Sequence, residues 1–293
     1  MCPPTYYRVA YILNPWMVPT EWHQSNYVQA QHQWGNLVEL LKSMGCEIEL
    51  ATPDRRFPDL CFTANAGYYD TRDQTRTDEQ KKTYAPPRLV LSYFRHPERR
   101  GEVQHFRKYG YISIIPDKED DFWEGAGDVL WDAFREINWS GYGFRSSLKG
   151  ITNYGATKII SEYNPQHGGE FSVINTYPHA LELVDPRFYH LDCTFCTLTD
   201  GEIMYYPGGF SKEALDKIEA EVLPKYRIEV TEEEARMFCC NAIVLGHKII
   251  MSSVTSRLKE KLAQYSYEVI ECNLSQFHKA GGSAACLVLR LLE

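Results

Sequence analysis

The segment with the strongest chemical signal is the run of small residues that precedes Cys286. Residues 280–285 (AGGSAA) contain two adjacent glycines and no bulky side chain, so their backbone can approach another group closely. A structural cysteine usually has bulky neighbours, whereas a nucleophilic thiol needs access and a partner that manages its proton. The pattern therefore predicts that Cys286 is the nucleophile of a hydrolase or transferase, with core packing as the alternative.

A histidine and an aspartate two residues apart provide the second signal. If residues 190–196 (HLDCTFC) form a strand, side chains alternate between its faces, and His190 and Asp192 lie on the same face. An imidazole beside a carboxylate suits proton transfer and the binding of a cation, and His190 is the candidate proton-transfer partner of Cys286. A hydrogen-bonded histidine in a core strand explains the same pattern.

Two acids, Glu124 and Asp128, flank a Gly-x-Gly sequence in residues 124–128 (EGAGD). The dinucleotide-binding fingerprint G-x-G-x-x-G needs a third glycine where this chain has Leu130. We therefore expect a turn whose small residues leave room for a ligand beside the two acids. An ordinary turn with solvated acids has the same composition.

A cysteine pair in the same region resembles a metal-binding or redox motif. Cys193 and Cys196 form C-x-x-C, but odd spacing on a strand directs their sulfurs to opposite faces. No second C-x-x-C completes a four-ligand set. The sequence therefore predicts no metal site.

Two arginines are candidates for binding a substrate carboxylate. Arg95 and Arg145 both lie beside aromatic residues, just beyond predicted strands. The planar guanidinium of either could bind a carboxylate through two parallel hydrogen bonds. A surface arginine is the alternative for each.

The elements that must position these residues alternate between helices and strands. Apolar residues at three- and four-residue steps predict helices at residues 27–44, 211–222 and 256–263. Strands separated by helices favour an α/β fold. Runs of β-forming residues predict strands at 8–13, 88–93, 127–131, 189–198, 202–206, 241–245, 248–252 and 287–292.

A loose regularity connects the chemically distinctive residues. The regularity has two interpretations. The first is that any α/β protein has polar residues near its strand ends. The second is an internal repeat, which predicts a closed, pseudo-symmetric ring in which equivalent positions converge on a central site. The isolated polar or reactive residues that recur in a small or apolar strand context are Asn65, Asp128, Asp192, Asn241 and Cys286.

Length, charge and cysteine content limit the class of protein. The chain has 293 residues and a net charge of −8, which allows one large domain or two modest ones and disfavours nucleic-acid binding, because an acidic surface repels phosphate. No apolar run approaches the roughly 20 residues that cross a bilayer, and the N-terminus does not resemble a signal peptide. Nine cysteines in a chain of this size indicate a reducing, cytoplasmic compartment. The polar segments 70–87 and 162–170 are expected to be loop insertions.

Together these segments resemble the guanidine-modifying (pentein) superfamily of arginine deiminases, dimethylargininases and amidinotransferases. The resemblance is strongest to the arginine dihydrolases, including the N-terminal module of cyanobacterial arginine dihydrolase/ornithine cyclodeaminases. The polar insertion at 70–87 lies outside it. The strings that carry the resemblance run through nearly the whole chain: YILNPWM, FTANAG, FRHPERRGE, EGAGD, GYGFRS, RFYHLD, NAIV and KAGGSAACLVLR.

The resemblance implies a fold and a set of roles. The fold would be a five-bladed, pseudo-symmetric α/β propeller of ββαβ units, formed by a single catalytic domain at residues 1–293. Cys286 would be the nucleophile and His190 the general acid and base. Asp192 and Glu124 would hold the substrate guanidinium. The implied substrate-binding positions are Asn65, Asp128 (the second choice for the guanidinium), Arg95 and Arg145 (for the α-carboxylate), Asn14, Phe62 and Gly127.

The implied reaction is the hydrolysis of L-arginine to L-ornithine, carbon dioxide and two ammonia through a covalent S-amidino-cysteine intermediate, without a metal or organic cofactor. Deiminases and dimethylargininases usually have Asp where this chain has Asn65. We expect the neutral amide to let a ureido intermediate remain bound for a second attack.

Other activities remain open at this point. Arginine deiminase or dimethylargininase activity is the first alternative, and a non-catalytic arginine-binding module is the second. A thiol peptidase is disfavoured, because acids beside the nucleophile would repel an oxyanion. The expected partner is a small molecule rather than a nucleic acid or a membrane, and a homo-oligomer is left open.

Overall fold

The computed structural model describes residues 1–21, 23–69, 89–109, 111–113, 120–155, 157–158, 174–175 and 179–291. Both segments expected to be insertions, 70–87 and 162–170, lie outside the described residues. The α-helices of the described ranges are α1 (Gln24–Ser43), α2 (Leu148–Gly150), α3 (Lys212–Glu221), α4 (Glu232–Arg236), α5 (Ser256–Gln264) and α6 (Ser275–His278).

The strands are short, and most have only three or four residues. They are β1 (Gly67–Tyr69), β2 (Leu89–Leu91), β3 (Tyr111–Ser113), β4 (Val129–Asp132), β5 (Ile137–Tyr142), β6 (Thr157–Lys158), β7 (Ile174–Asn175), β8 (His179–Glu182), β9 (Phe195–Thr197), β10 (Ile203–Tyr205), β11 (Arg227–Glu229), β12 (Ile243–Leu245), β13 (Lys248–Met251) and β14 (Glu268–Glu271).

One sheet topology recurs four times within the described ranges. The three-stranded sheets have the orders β1-β2-β3, β4-β5-β8, β9-β10-β11 and β12-β13-β14. In each sheet the first two strands pair antiparallel and the last two pair parallel. A parallel pair needs a long crossover, which α3 supplies between β10 and β11 and α5 between β13 and β14. The chain is therefore a mixed α/β protein built from similar units.

The predicted helices form because one face of each is apolar and because their first turns are capped. The prediction for 27–44 is confirmed as α1, whose buried residues include Leu37 and Leu41. Those for 211–222 and 256–263 are confirmed as α3 and α5. The side chains of Ser211 and Thr255 accept hydrogen bonds from the first turns of these helices. None of the helices in the described ranges combines the length and apolar character needed to cross a bilayer.

Two strand predictions are wrong, and a third is wrong in its first half. Residues 8–13 form no strand, and none lies between residue 287 and the end of the described chain at 291. In 189–198 the first half is a 3₁₀ turn at Leu191–Cys193, and only β9 is a strand. Local hydrogen bonds close this turn, from the N–H of Cys193 to the carbonyl of His190 (3.2 Å) and from Thr194 to Leu191 (2.9 Å). The other strand predictions are confirmed, with bounds that differ by one or two residues.

Tight turns stand where the sequence shows its recurrent polar residues. Asn65 lies in the 3₁₀ turn Thr63–Ala66, directly before β1, and Asp192 in the turn before β9. Asp128 follows the turn Gly125–Gly127 and precedes β4. Asn241 ends a turn closed by the hydrogen bond from its N–H to the Phe238 carbonyl (3.0 Å) and precedes β12, and Cys286 lies in a fifth turn, Ala285–Leu287. The reactive side chains are therefore carried by turns rather than by strands.

Candidate active site

The turn that carries Cys286 is held by the side chain of Asn241, which is fully buried. Its Oδ1 accepts hydrogen bonds from the backbone N–H groups of Ser283 (3.0 Å) and Cys286 (3.2 Å). Its Nδ2 donates to the Cys286 sulfur (3.1 Å) and to the backbone carbonyl of Asp192 (3.3 Å). One amide therefore fixes the backbone around the candidate nucleophile and also contacts its sulfur.

The small residues before Cys286 permit the close approach that the sequence predicts. Gly281 has φ +82°, and a Cβ there would lie 2.7 Å from the hydroxyl of Tyr189. A Cβ on Gly282 would lie 2.6 Å from the ring of Phe62 and 3.3 Å from the Cβ of Cys286. Phe62 is buried and packs against residues 280–286, the loop that carries Cys286 and is here called the nucleophile loop.

Asp192 lies between two thiols. Its Oδ2 is 3.2 Å from the sulfur of Cys286, and its Oδ1 is 3.4 Å from that of Cys193. Burial, and then the neighbouring Cys286, raise the pKa of Asp192 well above its usual range. The pKa of Cys286 is lowered to about 7, most strongly by a hydrogen bond from Cys193. Burial acts to raise this pKa, but hydrogen bonds with the Ser283 N–H, Asp192 and Asn241 lower it further. The Cys286 thiol therefore ionises near neutral pH, as a nucleophile requires.

The imidazole of His190 is paired with Glu124. His190 Nε2 lies 2.8 Å from Glu124 Oε2, and the same oxygen accepts a hydrogen bond from the Arg145 guanidinium (3.2 Å). Burial acts to raise the pKa of Glu124, but the charge of Arg145 and the contacts with His190 outweigh it and hold that pKa below its usual range. Glu124 is therefore a buried carboxylate anion that orients the imidazole.

Asp128 connects the glycine turn to the His190 segment. Its Oδ2 accepts a hydrogen bond from the hydroxyl of Ser146 (2.6 Å), and its Oδ1 accepts one from the N–H of Leu191 (3.0 Å). His190 Nε2 lies 4.0 Å from Oδ2. Burial raises the pKa of Asp128 to about 6. Both carboxylate oxygens are occupied by the protein, so Asp128 fixes the position of the adjacent turn.

Asn65 and Gly127 meet beside His190. Asn65 Oδ1 accepts a hydrogen bond from Arg99 Nη1 (3.2 Å), whereas its Nδ2 is buried and has no hydrogen-bond partner in the described part of the chain. A Cβ on Gly127 would collide with this Nδ2 and would lie 3.2 Å from the His190 ring. The glycine therefore makes room for the Asn65 amide next to the imidazole.

A cavity of about 260 Å³ lies on the side of the site where the predicted arginines are found, and Asn14, Arg95, Arg145 and Tyr189 are among the residues that line it. Asn14 donates to the carbonyl of Ala280 (2.9 Å), which ties this wall to the nucleophile loop. Arg145 is buried with its guanidinium 4.4 Å from the centre of the Tyr189 ring, whereas Arg95 is exposed.

The structure therefore brings the predicted residues together, but by a different route from the expected strand. His190 and Asp192 do not share a strand face: His190 contacts Glu124, and Asp192 contacts the thiols. Arg145, a candidate for the substrate carboxylate, also forms an ion pair with Glu124. His190 and Asp192 diverge because a 3₁₀ turn does not alternate its side chains between two faces.

Three residues of the site are absent from the sequence-based assignment. Asn241 belongs to the recurrent polar pattern, which was the signal that could have identified it. Arg99 has Glu102 three residues later, a spacing that favours an ion pair on one helical turn. Cys193 contacts Asp192 because the expected strand is a turn, so its sequence pattern gave no usable signal.

Three buried acids lie in the site of the candidate nucleophile, and one of them, Asp192, contacts its sulfur. Glu124, Asp128 and Asp192 are all at most 2% exposed, and a buried carboxylate needs a compensating partner. A planar cation between them would supply that compensation while it presents a face to the thiolate. The described residues contain no group of His, Cys, Asp and Glu side chains that could hold a metal ion. The arrangement suits covalent catalysis on a guanidinium-like cation.

Known proteins resemble this chain along nearly all of its length. Residues 16–293 match the family model for N,N-dimethylarginine dimethylhydrolase, eukaryotic. Over all of its residues, the chain is 37% identical to the bifunctional arginine dihydrolase/ornithine cyclodeaminase AgrE of Nostoc sp., and it spans 37% of that protein. It is 30% identical to N(G),N(G)-dimethylarginine dimethylaminohydrolase of Mycobacterium tuberculosis, over 99% of this chain and 84% of that one.

A solved structure extends the likeness to three dimensions. The N-terminal domain of ArgZ, an arginine dihydrolase of cyanobacteria solved with bound substrate, matches with a TM-score of 0.81 and 37% identity, over 100% of this chain and 97% of that domain. The same domain has been solved covalently bound to a reaction intermediate. The chain belongs to the N,N-dimethylarginine dimethylhydrolase family, within the guanidine-modifying pentein superfamily.

Proposed function

We propose that this protein is an arginine dihydrolase, which converts L-arginine and two water molecules into L-ornithine, carbon dioxide and two ammonia. The observation that carries the proposal is the Cys286 thiol in contact with Asn241 and Asp192 (3.1 and 3.2 Å), within the same buried acidic site as the His190–Glu124 pair. The identity with AgrE and ArgZ, whose names state arginine dihydrolase activity, supports the choice of substrate.

The buried acids suit the guanidinium of arginine. This group is planar, cationic at all working pH values and a poor electrophile, and stripping it of water without partners costs several kcal/mol. Asp192 and Glu124 offset that cost and fix its plane, although the Glu124 oxygens also accept hydrogen bonds from the Arg95 N–H (3.2 Å) and from Arg145. The side chains bound to Asp192 in the free protein are two thiols, so its carboxylate is available to the substrate. The arriving cation favours the ionised form of Asp192.

The first hydrolysis uses Cys286 and His190. The Cys286 thiolate attacks the central guanidinium carbon, and the departing nitrogen takes a proton from His190 and leaves as ammonia. The product is an S-amidino-cysteine. A water molecule, deprotonated by His190, then attacks this intermediate, and the carbon–sulfur bond breaks to regenerate the Cys286 thiolate and leave a bound ureido group. His190 is therefore neutral between these two steps, and Glu124 stabilises the protonated imidazole before the first step and after the second.

The second hydrolysis consumes the ureido group before it leaves. Cys286 attacks the ureido carbon, the bond to its terminal nitrogen breaks, and ammonia departs with a proton from His190. Water hydrolyses the resulting S-carbamoyl-cysteine to a carbamate, which loses carbon dioxide and leaves L-ornithine. Neutral Asn65 supports this step, since an aspartate there would favour only the cationic guanidinium.

The substrate α-carboxylate is assigned to the cavity beside Arg95. The Arg95 guanidinium is exposed, whereas Arg145 is paired with Glu124 and adds positive charge to the same cavity wall. Asn14 and Phe62 shape the site through their contacts with the nucleophile loop. Gly127 leaves the space that Asn65 occupies.

The proposal includes a five-bladed propeller of ββαβ units, formed by one catalytic domain at residues 1–293. The four similar sheets support it, and so do hydrogen bonds between turns from successive units. Examples are those from Leu191 to Asp128 (3.0 Å), from Asn241 to Asp192 (3.3 Å), from Ala285 to Asn241 (3.3 Å) and from Thr63 to Leu287 (3.0 Å).

A cytoplasmic location is also proposed. Its support is that all nine cysteines lie within the described residues and none forms a disulfide. Free thiols persist in reducing compartments.

Citrulline-forming arginine deiminase or dimethylargininase activity is the second candidate. The family description and the M. tuberculosis relative favour it. These activities would use the same nucleophile and acids as a dihydrolase. They differ from it in the leaving group or in the release of the ureido product.

The test is a product analysis with L-arginine and, separately, N,N-dimethyl-L-arginine, in which ornithine, citrulline and ammonia are quantified together. We expect two ammonia and one ornithine per arginine, and no turnover by the Cys286→Ser variant. Citrulline with one ammonia would replace the proposal by a deiminase, and turnover of the methylated substrate by a dimethylargininase. Binding of arginine without turnover would leave only a binding module.

A further inference from the structure

The side-chain amide of Asn65 has its orientation imposed by the protein. Asn65 Oδ1 lies 3.2 Å from Arg99 Nη1, and both residues are buried. A guanidinium carries only hydrogen-bond donors, so the atom of Asn65 that faces Arg99 must be the oxygen. The Nδ2 amino group therefore faces the opposite way.

Arg99 is itself held in one position. Its Nε and Nη2 donate to the two carboxylate oxygens of Glu102 (2.9 and 2.7 Å), and Nη2 also contacts the backbone carbonyl of Asp59 (3.4 Å). Its guanidinium lies 4.6 Å from the centre of the Phe94 ring. A buried, bidentate ion pair of this kind does not rotate freely, so the orientation of Asn65 is fixed before any substrate arrives.

The free N–H group of Asn65 lies near the imidazole of His190. Nδ2 is buried without a hydrogen-bond partner among the residues that the structure describes, and it lies against Gly127 on the side of His190. An unpaired buried donor costs free energy that a bound acceptor would recover. The ligand that satisfies it must offer an oxygen or another acceptor.

Only some species along the proposed reaction offer such an acceptor. The arginine guanidinium presents N–H donors and no acceptor, so it gains nothing from this amide. The ureido group formed by the first hydrolysis has a carbonyl oxygen, which becomes more negative when Cys286 attacks the carbon. A preorganised donor at such an oxygen acts as an oxyanion hole.

We propose that Arg99 is a positioning residue that selects the product: by holding the oxygen of Asn65, it directs the amide N–H to the ureido oxygen and commits the bound intermediate to the second hydrolysis. This inference rests on the proposed dihydrolase function. In that step the sulfur–carbon bond forms, the bond to the terminal nitrogen breaks, and His190 supplies the proton that leaves with ammonia. The N–H of Asn65 stabilises the negative charge on the oxygen until the nitrogen departs.

The test replaces the whole ion pair, with Arg99→Met and Glu102→Leu in one variant. Removing one partner alone would leave an uncompensated buried charge, whereas replacing both by apolar residues is often neutral for stability. The matched control is Arg135→Met with Asp132→Leu, another ion pair with three-residue spacing and a buried acid. Arginine consumption, citrulline release and ornithine formation are measured for all three proteins.

We expect the Arg99/Glu102 variant to release citrulline, with ornithine formation reduced about 100-fold, as for loss of an oxyanion-hole donor, and arginine consumption reduced less than tenfold. The control variant should keep the wild-type ratio of products. A folded Arg99/Glu102 variant with the wild-type ratio overturns the inference. Citrulline as the main product of the wild-type protein would instead refute the proposed function, so the two failures are distinguishable.

A second measurement does not require the double variant to fold. A crystal structure of the Cys286→Ser variant with bound L-citrulline should show Asn65 Nδ2 within hydrogen-bond distance of the ureido oxygen while Oδ1 remains on Arg99. A ureido oxygen bound by another donor, or an Asn65 that has left Arg99, overturns the proposal.

Discussion

Two asparagines in equivalent turns of the fold, Asn65 and Asn241, differ in how the protein uses their amides. Asn241 makes four hydrogen bonds, two through each end of its amide, and all go to the segments of Cys286 and Asp192. Asn65 has its oxygen held by Arg99 and its amino group without a partner among the described residues. Both side chains are at most 2% exposed.

The difference indicates that the Asn241 amide holds the protein's own backbone, whereas the Asn65 amide has a donor left for a ligand. A fully bonded amide fixes a catalytic turn before substrate arrives, which is preorganisation. A half-bonded buried amide carries a desolvation cost that a bound hydrogen-bond acceptor offsets. We therefore expect the Asn241 amide to have a structural role on the Cys286 side and the Asn65 amide to have a substrate-directed role on the Arg99 side.

The largest effect is expected from Asn241→Leu. This variant removes both hydrogen bonds that hold the nucleophile turn and the donor on the sulfur, so kcat/KM for arginine should fall on the order of 100- to 1,000-fold, with the product ratio unchanged. Steady-state kinetics with full product analysis checks it. The control is Asn138→Leu, another buried asparagine, which accepts a hydrogen bond from Tyr68. A loss of ornithine relative to citrulline in Asn241→Leu would remove the distinction between the two amides.

The next effect concerns Gly127→Ala. The new Cβ would collide with the Asn65 amide and press on the His190 ring, so we expect arginine consumption to fall about tenfold and the ornithine share to fall further, since a misplacement of about 1 Å can cost 100-fold. Gly35→Ala is the control, because that position in α1 has open space for a Cβ and alanine favours a helix. Equal rates of arginine consumption for Gly127→Ala and wild type would show that a Cβ at this position does not displace the Asn65 amide.

A smaller change in rate is expected for Asn65→Asp, together with a change in product. The carboxylate keeps a contact with Arg99 but has no N–H for the ureido oxygen. Arginine consumption should change less than tenfold while citrulline becomes the main product. Quantifying both products over time checks this. An unchanged yield of ornithine would remove Asn65 from the account.

The smallest effect is a displacement along the pH axis. The pKa of Cys286 is lowered to about 7, so the thiolate, and with it kcat/KM, should increase as the pH rises through about 7. Losing the Asn241 donor raises that pKa, so the rise in Asn241→Leu should occur at higher pH, whereas Asn65→Asp should keep the wild-type midpoint. Rates of alkylation by iodoacetamide from pH 5 to 10 measure this directly. If the pH midpoint of alkylation moved in Asn65→Asp but not in Asn241→Leu, the roles assigned to the two asparagines would be wrong.

Much of this protein follows from local sequence pattern. The apolar periodicity that predicts α1, α3 and α5, the small-residue loop before Cys286 and the acids around the glycine turn are all local features, and each is present in the structure. The recurrence of polar residues also indicated the repeated unit. These features were readable because helix periodicity and glycine requirements involve residues close together in the chain.

The partners of each catalytic side chain were decided only by the tertiary structure. The sequence predicted a strand through His190 and Asp192, but a 3₁₀ turn separates their directions, so one contacts Glu124 and the other the thiols. The contacts of Arg145 with Glu124, Asn241 with Cys286 and Arg99 with Asn65 join residues from 21 to 45 positions apart. A sequence pattern identifies which groups can donate, accept or carry charge, whereas packing determines which donor is already occupied and which is left for the substrate.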